Sequence, residues 1–467
     1  MSKAAYMGVG GTARKVKKMY IGVNGTARKV KKAYIGVGGV ARLFYSSGLD
    51  FSNVTFSKQV DYTSKTTVYT TGVNANGVII LAGYHNSSNA AGGIRDGNFY
   101  LGAEVIRSTD NGYTWTRVTT PPIEEYSKGS RYGTNLKIIS VGQNILIIPA
   151  SVGWYNNGLI GTRYAYSSNA GASWIACNAG TIIGTFGSNL PRLKSIVATN
   201  TFFAGVVRNE GRSYNDEAPA YLVRSYDGVN WEQKRTTELG LPHEENGGSV
   251  ADKIFTNGKY WFVLCTSHTR NDKNSHLYRS ATNDPFSQYT YLTDITPDNM
   301  LKWSLWNDKD HCSMHTLSEW SYSDDGQIII GSSGLPNGFC GITNMELDVS
   351  RQNCYVISTD GGLTWKAYNW PTLDGYINEG GGWCSGIRYY DNTFITKLYC
   401  RSSNLAGTNC LIAWSYDGLN WSYKAGQGTS TMPSDIIRCN DNHFIYTNSI
   451  YDSDLSDKPT QIYHFNG

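Results

Sequence analysis

The residue types best suited to chemistry in this chain are arginines, aromatics and one histidine pair. His311 and His315 stand four apart, with Asp308 and Asp310 just before them. On a helix that spacing aims two imidazoles at one zinc ion. Here the flanking sequence reads as a loop running into a strand, so no metal is expected. Arg95, Arg163, Arg208, Arg212, Arg270, Arg351 and Arg401 recur along the chain. Guanidinium pairs bidentately with carboxylate or phosphate, so several arginines gathered on one face would hold an anion. The plain alternative is a scatter of solvated side chains. Trp154, Tyr155, Trp303, Trp306 and Trp383, with Tyr126, Tyr132 and Tyr376, fall between apolar runs. There they suit stacking on a sugar, or packing between loops. Nine cysteines, an odd number without a CxxC pair, argue against a disulfide framework or zinc knuckle.

The elements that must position these residues come from a repeat. Ser108-Thr-Asp110-Asn-Gly112-Tyr-Thr114-Trp115 returns as Ser167 to Trp174, Ser225 to Trp231, Ser358 to Trp365 and Ser415 to Trp421, with a degenerate copy at Ser280 to Phe286. The spacing is near 58 residues, and one interval is about 20 longer. Each copy reads as strand, tight turn, strand. The Asp or Asn side chain folds onto the turn's backbone N–H groups, Gly takes the positive φ, and Trp packs on a neighbouring unit. A second set of tight turns precedes the copies, at Asn74–Gly77, Gln143-Asn144, Asn200-Thr201, Asn257-Gly258, Asp324–Gly326, Asp391-Asn392 and Asn440–Asn442. That makes seven units. The last lacks a fourth strand, which Asn53 to Lys58 is expected to supply, so that both termini close one circle.

The repeat resembles the Asp-box, or bacterial neuraminidase repeat, over six copies: Asp110, Trp115, Asn169, Trp174, Asp227, Trp231, Asp360, Trp365, Asp417 and Trp421 carry it. The resemblance implies an all-β, seven-bladed, sialidase-like propeller over residues 49–467. It says little about function, because Asp-boxes are structural. An active sialidase would also need an early Arg-Ile-Pro-like motif, an arginine triad, an acid/base Asp and a Tyr–Glu pair. Val54 to Leu101 has no such motif, and Leu190-Pro191-Arg192 has the wrong order. Glu319, Glu379 and Tyr389 are conceivable partners, but glycosidase chemistry requires carboxyl groups at a set separation. Close carboxylates in the central funnel would favour that reading.

Residues 1–45 hold ten Lys or Arg and no acid, while the remainder holds 31 basic against 37 acidic residues. This arm repeats every 14 residues from Tyr6, Tyr20 and Tyr34, each copy centred on Gly10-Gly11, Asn24-Gly25 or Gly38-Gly39. Such dipeptides suit two-residue hairpins. One hairpin is not stable alone, so three in series, or the arms of several subunits, would be needed. A nucleic-acid arm is the rival reading. The arm resembles the "KVKKxYIGVNGxAR" repeats at the ends of tail-associated proteins of phages and prophages of Gram-positive bacteria. That resemblance implies a virion or tail-like particle.

The expected function follows. Residues 1–48 dock onto other tail or baseplate proteins or hold homo-oligomers together. The propeller's long connections bind a bacterial surface glycan or protein without catalysis. A tail-associated glycan-degrading enzyme and a structural decoration protein are the alternatives. No cofactor, membrane partner or nucleic acid is expected. Met1 to Gly11 has no apolar core of a secretory signal, which fits assembly in a bacterial cytoplasm.

Overall fold

The computed structural model describes residues 6–9, 12–15, 19–23, 25–30, 32–37, 40–46, 48–62, 67–85, 99–126, 135–150, 163–183, 190–210, 219–242, 249–267, 275–294, 317–333, 354–369, 383–384, 386–399, 410–428, 434–448 and 460–467.

Each repeat unit is organised by its aspartate turn. Asp110 Oδ1 accepts the backbone N–H groups of Tyr113 and Thr114 at 3.1 and 2.9 Å, and Oδ2 accepts the Thr114 hydroxyl at 2.6 Å. Ser108 Oγ accepts the Gly112 N–H at 2.8 Å. Gly112 holds φ +89°, which an L side chain resists. Asp360 repeats this pattern, and Asp227 and Asp417 use a turn one residue shorter. Burial alone would raise the pKa of Asp110 and Asp227. Hydrogen bonds from Thr114, and from Val229 and Asn230, outweigh it and bring both to about 2. The Trp that ends the turn reaches back to the preceding unit. Trp231 Nε1 donates to the Tyr164 hydroxyl at 3.0 Å, and Trp421 Nε1 to the Tyr355 hydroxyl at 3.1 Å.

Seven antiparallel sheets form a seven-bladed β-propeller, six with their strands in chain order and the seventh completed by a strand from the N-terminal side. The first strands are Thr67–Ala75, Asn135–Val141, Leu190–Ala198, Ser249–Thr256, Leu317–Tyr322, the pair Trp383–Cys384 and Arg388–Tyr390, and Ile436–Arg438. First strands touch from blade one round to blade six and again from seven to one, and Thr393–Tyr399 of blade six touches the first strand of blade seven, which places them around the axis. The core lies between blades rather than within them. Ile80 and Val105 of blade one pack on Ile138, Ile145 and Ala165 of blade two, and Phe255 and Phe262 of blade four pack on Ile329 and Val356 of blade five. Among the described residues, helix is confined to Gly180–Ile183 and a 3₁₀ turn at Thr236–Leu239.

Blade seven takes its third strand, Thr460–Asn466, from the C-terminus and its fourth, Ser57–Tyr62, from the N-terminal side. The closing strand was expected at Asn53 to Lys58; it begins four residues later. The reason is packing. Leu49, Phe51 and Val54 are buried, and with Phe56 they plug the base of blades six and seven against Trp414, Phe444 and Phe465. The apolar run that reads as a strand is this plug.

Antiparallel order puts alternate connections on opposite faces. The first-to-second and third-to-fourth turns form an aspartate face. The second-to-third and fourth-to-first connections form the other. The arm folds as three hairpins, Tyr6–Val9 with Thr12–Lys15, Tyr20–Val23 with Thr26–Lys29, and Lys32–Val37 with Val40–Ser46. The innermost pairs are Val9 with Thr12, Val23 with Thr26 and Val37 with Val40, and Gly25 holds φ +75°. Among the described residues the hairpins are three separate two-stranded sheets.

Where the circle closes, Tyr113 of blade one stacks on His443 and His464 of blade seven, ring centroids 5.4 and 4.9 Å away. The imidazoles share a hydrogen bond of 2.7 Å. Burial, reinforced by His443, pushes His464 down to about 4, and burial lowers His443. Both are therefore neutral in the folded protein where the unfolded chain begins to bind protons. Stability is lost as pH falls from about 6.5 towards 4. Thermal melts across that window should show the decline, and His464→Phe should flatten it; parallel curves for the two proteins would exclude the pair as its cause.

Candidate functional site

The long connections fall at 86–98, 151–162, 211–218, 268–274, 334–353, 400–409 and 449–459 between second and third strands. Most of the anticipated binding residues sit there or in the fourth-to-first connections. Arg95, Trp154, Tyr155, Arg212, Arg270, Trp303, Trp306, Arg351 and Arg401 lie outside the described residues, as do Tyr132, Tyr376, Glu379 and the His311–His315 pair. Three anticipated loop residues are instead in strands. Tyr126 ends Thr116–Tyr126, Trp383 begins a short inner strand, and Arg208 sits within Phe203–Glu210. Arg208 is only 7% exposed, because it pairs in register between Arg192 and Ala220 with sheet on both sides. It is therefore withdrawn as a surface anion ligand. Arg163 keeps the expected place. It is exposed at the start of Arg163–Ser167 and borders an open groove of about 320 Å³ with Tyr164, Cys177, Asn178, Thr181 and Val229. Burial pushes the Cys177 thiol up, which keeps it protonated and unreactive. Cys177, Cys265, Cys410 and Cys439 are all free.

The axis holds a second concentration of polar groups. Thr71, Lys137, Lys194, Asp252, Glu319, Arg388 and Asp435 come from or directly adjoin the first strands of blades one to seven in turn. Register shifts lie beside them at Tyr69/Thr71, Leu193/Ser195, Ala251/Lys253 and Leu317/Glu319. A bulge twists a strand and re-aims its side chains. Lys137 Nζ reaches Glu319 Oε1 at 3.3 Å. Blades two and five are not neighbours, so this pair spans the central channel. Arg388 joins Glu319 at 3.3 Å to Asp435 at 2.8 Å, and the Thr71 hydroxyl donates to Asp435 at 3.0 Å. Asp252 lies 3.7 Å from Lys253 and 4.0 Å from Lys194.

Thr71, Asp252 and Asp435 are buried, while Lys137, Lys194, Glu319 and Arg388 are partly exposed, and burial is the main influence on Asp435. It raises the Asp435 pKa; Arg388 opposes the shift and the Glu319 charge adds to it. Burial works against the Arg388 charge, but Asp435 and Glu319 more than offset that. Lys253 is lowered by burial despite Asp252. Of this ring only Glu319 was anticipated. Its proposed partner Tyr389 points elsewhere, its hydroxyl donating to Asn392 at 3.2 Å and its ring packing on Phe394. The missed signal was a polar residue interrupting an apolar run just before each first turn, as in Leu136-Lys137-Ile138 and Ala251-Asp252-Lys253-Ile254.

No family model and no curated protein matches the chain. Solved structures match in fold. An α-L-arabinofuranosidase of Fusarium graminearum shares 7% identity at TM-score 0.36, covering 87% of this chain and 95% of that one. The β-propeller domain of a protease from Pyrococcus furiosus shares 8% identity at TM-score 0.42, covering 87% and 95%. A sialidase of Trypanosoma rangeli shares 11% identity at TM-score 0.35, covering 96% of this chain and 58% of its own. At these values the likeness is one of propeller architecture and extends to nothing else.

Proposed function

We propose that this chain is a particle-associated recognition protein, of phage-tail type, whose propeller binds a bacterial surface glycan through the connections opposite the aspartate face. One observation carries the reading: the basic arm leaves from the aspartate face. Leu49 N–H donates to Thr393 Oγ1 at 2.7 Å, and the Tyr416 hydroxyl donates to Leu49 O at 2.9 Å. Thr393 begins the second strand of blade six, just past its first turn, and Tyr416 lies in the aspartate turn of the same blade. Attachment and long connections thus occupy opposite ends of a rigid body, as a tethered binder requires. The particle itself rests on the arm's resemblance to phage tail repeats.

The test uses the intact protein on an array of bacterial surface polysaccharides that includes teichoic acids. Arg163→Ala should weaken capture roughly ten- to a hundredfold, the value of a charge-assisted hydrogen bond. Leu363→Ala, on the aspartate face, should leave capture unchanged. The reverse pattern would overturn the orientation.

A second reading, glycan hydrolysis, has one observation in its favour, the approach of Glu319 and Asp435 to the same guanidinium in the channel. Both carboxylates are ion-paired, so neither is poised as a free base or nucleophile. Release of reducing sugar that Glu319→Gln abolishes would replace binding with catalysis as the primary function.

A further inference from the structure

We infer that the aspartate face is the receptor for the basic arm of a second copy of this chain. The inference rests on the proposed role of the arm as an attachment element and names its partner.

The argument is one of charge and coverage. The described turns of this face carry Asp110, Asp227, Asp324, Asp360 and Asp417, with Lys259 against them. The turn hydrogen bonds hold Asp110, Asp227, Asp360 and Asp417 below the usual carboxylate range, although burial opposes this. The face therefore stays negative in mild acid. Between the carboxylates stand exposed apolar side chains: Tyr113, Tyr226, Leu363 and Tyr416 are each 48–54% exposed. A tyrosine beside a carboxylate suits a lysine or arginine stem and head together. Arg224 already does this within the chain, its guanidinium 5.5 Å from the Tyr226 ring and paired with Asp284 at 3.2 Å.

The arm is the complementary object. It holds ten Lys or Arg and no acid in residues 1–45. Its middle hairpin exposes Tyr20 and Ile21, and a lone hairpin cannot bury enough surface to persist. Among the described residues the arm hairpins pair only within themselves, and Tyr113, Tyr226 and Tyr416 of the face stay about half exposed. Each surface thus lacks a cover that the other can supply in trans. Three equivalent hairpins also match a face that repeats its carboxylates from blade to blade.

The experiment takes full-length protein, half of it ¹⁵N-labelled, and measures its mass by light scattering at about 20 mM and about 1 M salt, where screening lengths differ several-fold. A carbodiimide then joins lysines to carboxylates in contact. The expected result is a multimer at low salt that falls to the single-chain mass at high salt, with cross-links between arm lysines and Asp324 that carry both isotopes. Lys29→Glu with Lys32→Glu should abolish the multimer without lowering the propeller's melting temperature, and Asp324→Asn should weaken it. Single-chain mass at low salt, cross-links confined to one isotope, or a multimer that survives the arm substitutions would overturn the inference. Glycan capture by single-chain protein would still stand, so the two readings fail separately.

Discussion

Arg388→Met is expected to cost about 3–5 kcal/mol of unfolding free energy at pH 7, the range for removing one partner of a buried ion pair. The methionine fills similar space, so the loss is electrostatic. Arg388 is the only described cation against Asp435, which is 6% exposed, and one of two against Glu319. Without it, two carboxylates from blades five and seven face each other in a site that already raises the Asp435 pKa by burial. The variant can escape by protonating Asp435, so its deficit should shrink as pH is lowered from 7 towards 5. Wild-type protein gains less over that range, because the Arg388 charge opposes protonation of Asp435. Adding Glu319→Gln and Asp435→Asn to the variant should recover most of the loss. Urea unfolding at several pH values reads all three outcomes. A deficit that is independent of pH would mean that packing, rather than unpaired charge, is what Arg388 supplies.

Local turn chemistry made the fold legible. A turn such as Ser358 to Trp365 uses hydrogen bonds within eight residues, so its residue types reveal it without knowledge of anything distant. Six such turns, and seven of the shorter turns that precede them, imply a circle, because a flat array would leave two open edges. In the closing blade the turn at Asn440–Asn442 was legible, and it falls between the strands Ile436–Arg438 and His443–Asn448. Legibility failed at 53–56, where burial by Trp414, Phe444 and Phe465, more than 350 residues away in sequence, overrides a run that looks like a strand. The channel ring was illegible for the same reason. Lys137 and Glu319 are 182 positions apart, and only closure of the circle brings them together. Arg208 shows the converse error: an arginine near a loop was read as solvent-facing, yet the sheet encloses it.

Lys397 illustrates how much this interior tolerates once it is satisfied. The side chain is fully buried between blades six and seven, its ammonium donating to Ser434 Oγ at 3.0 Å and Thr447 O at 2.6 Å, over the Tyr446 ring. Burial brings it down to about 8. These acceptors are a hydroxyl and a carbonyl, whereas the ring lysines meet carboxylates. Lys397 is thus held by hydrogen bonds to the neighbouring blade, while Lys137 on the axis depends on Glu319 across the channel. The axis is accordingly where single substitutions should propagate around the circle.

Phe51→Ala should be the second large loss, about 3–5 kcal/mol for emptying a fully buried aromatic site. Phe51 is 0% exposed and meets Trp414, Phe444 and Phe465 edge-on, ring centroids 5.5–5.7 Å away. Those contacts join the segment that follows the arm to blades six and seven. They also fix the start of Ser57–Tyr62, which has sheet on one side only. A strand held by a single ladder relies on whatever anchors its ends. Hydrogen exchange should therefore speed up first at 57–62 and its partner 460–464, before the inner blades respond. Phe56→Ala, at a partly buried ring in the same cluster, should give the same pattern at smaller size. The arm's direction depends on this plug as well, since Leu49 is tied to Thr393 only two residues earlier. Uniform acceleration over all seven blades would show instead that the closing strand opens only with the whole circle, and that the plug serves global stability rather than the seam.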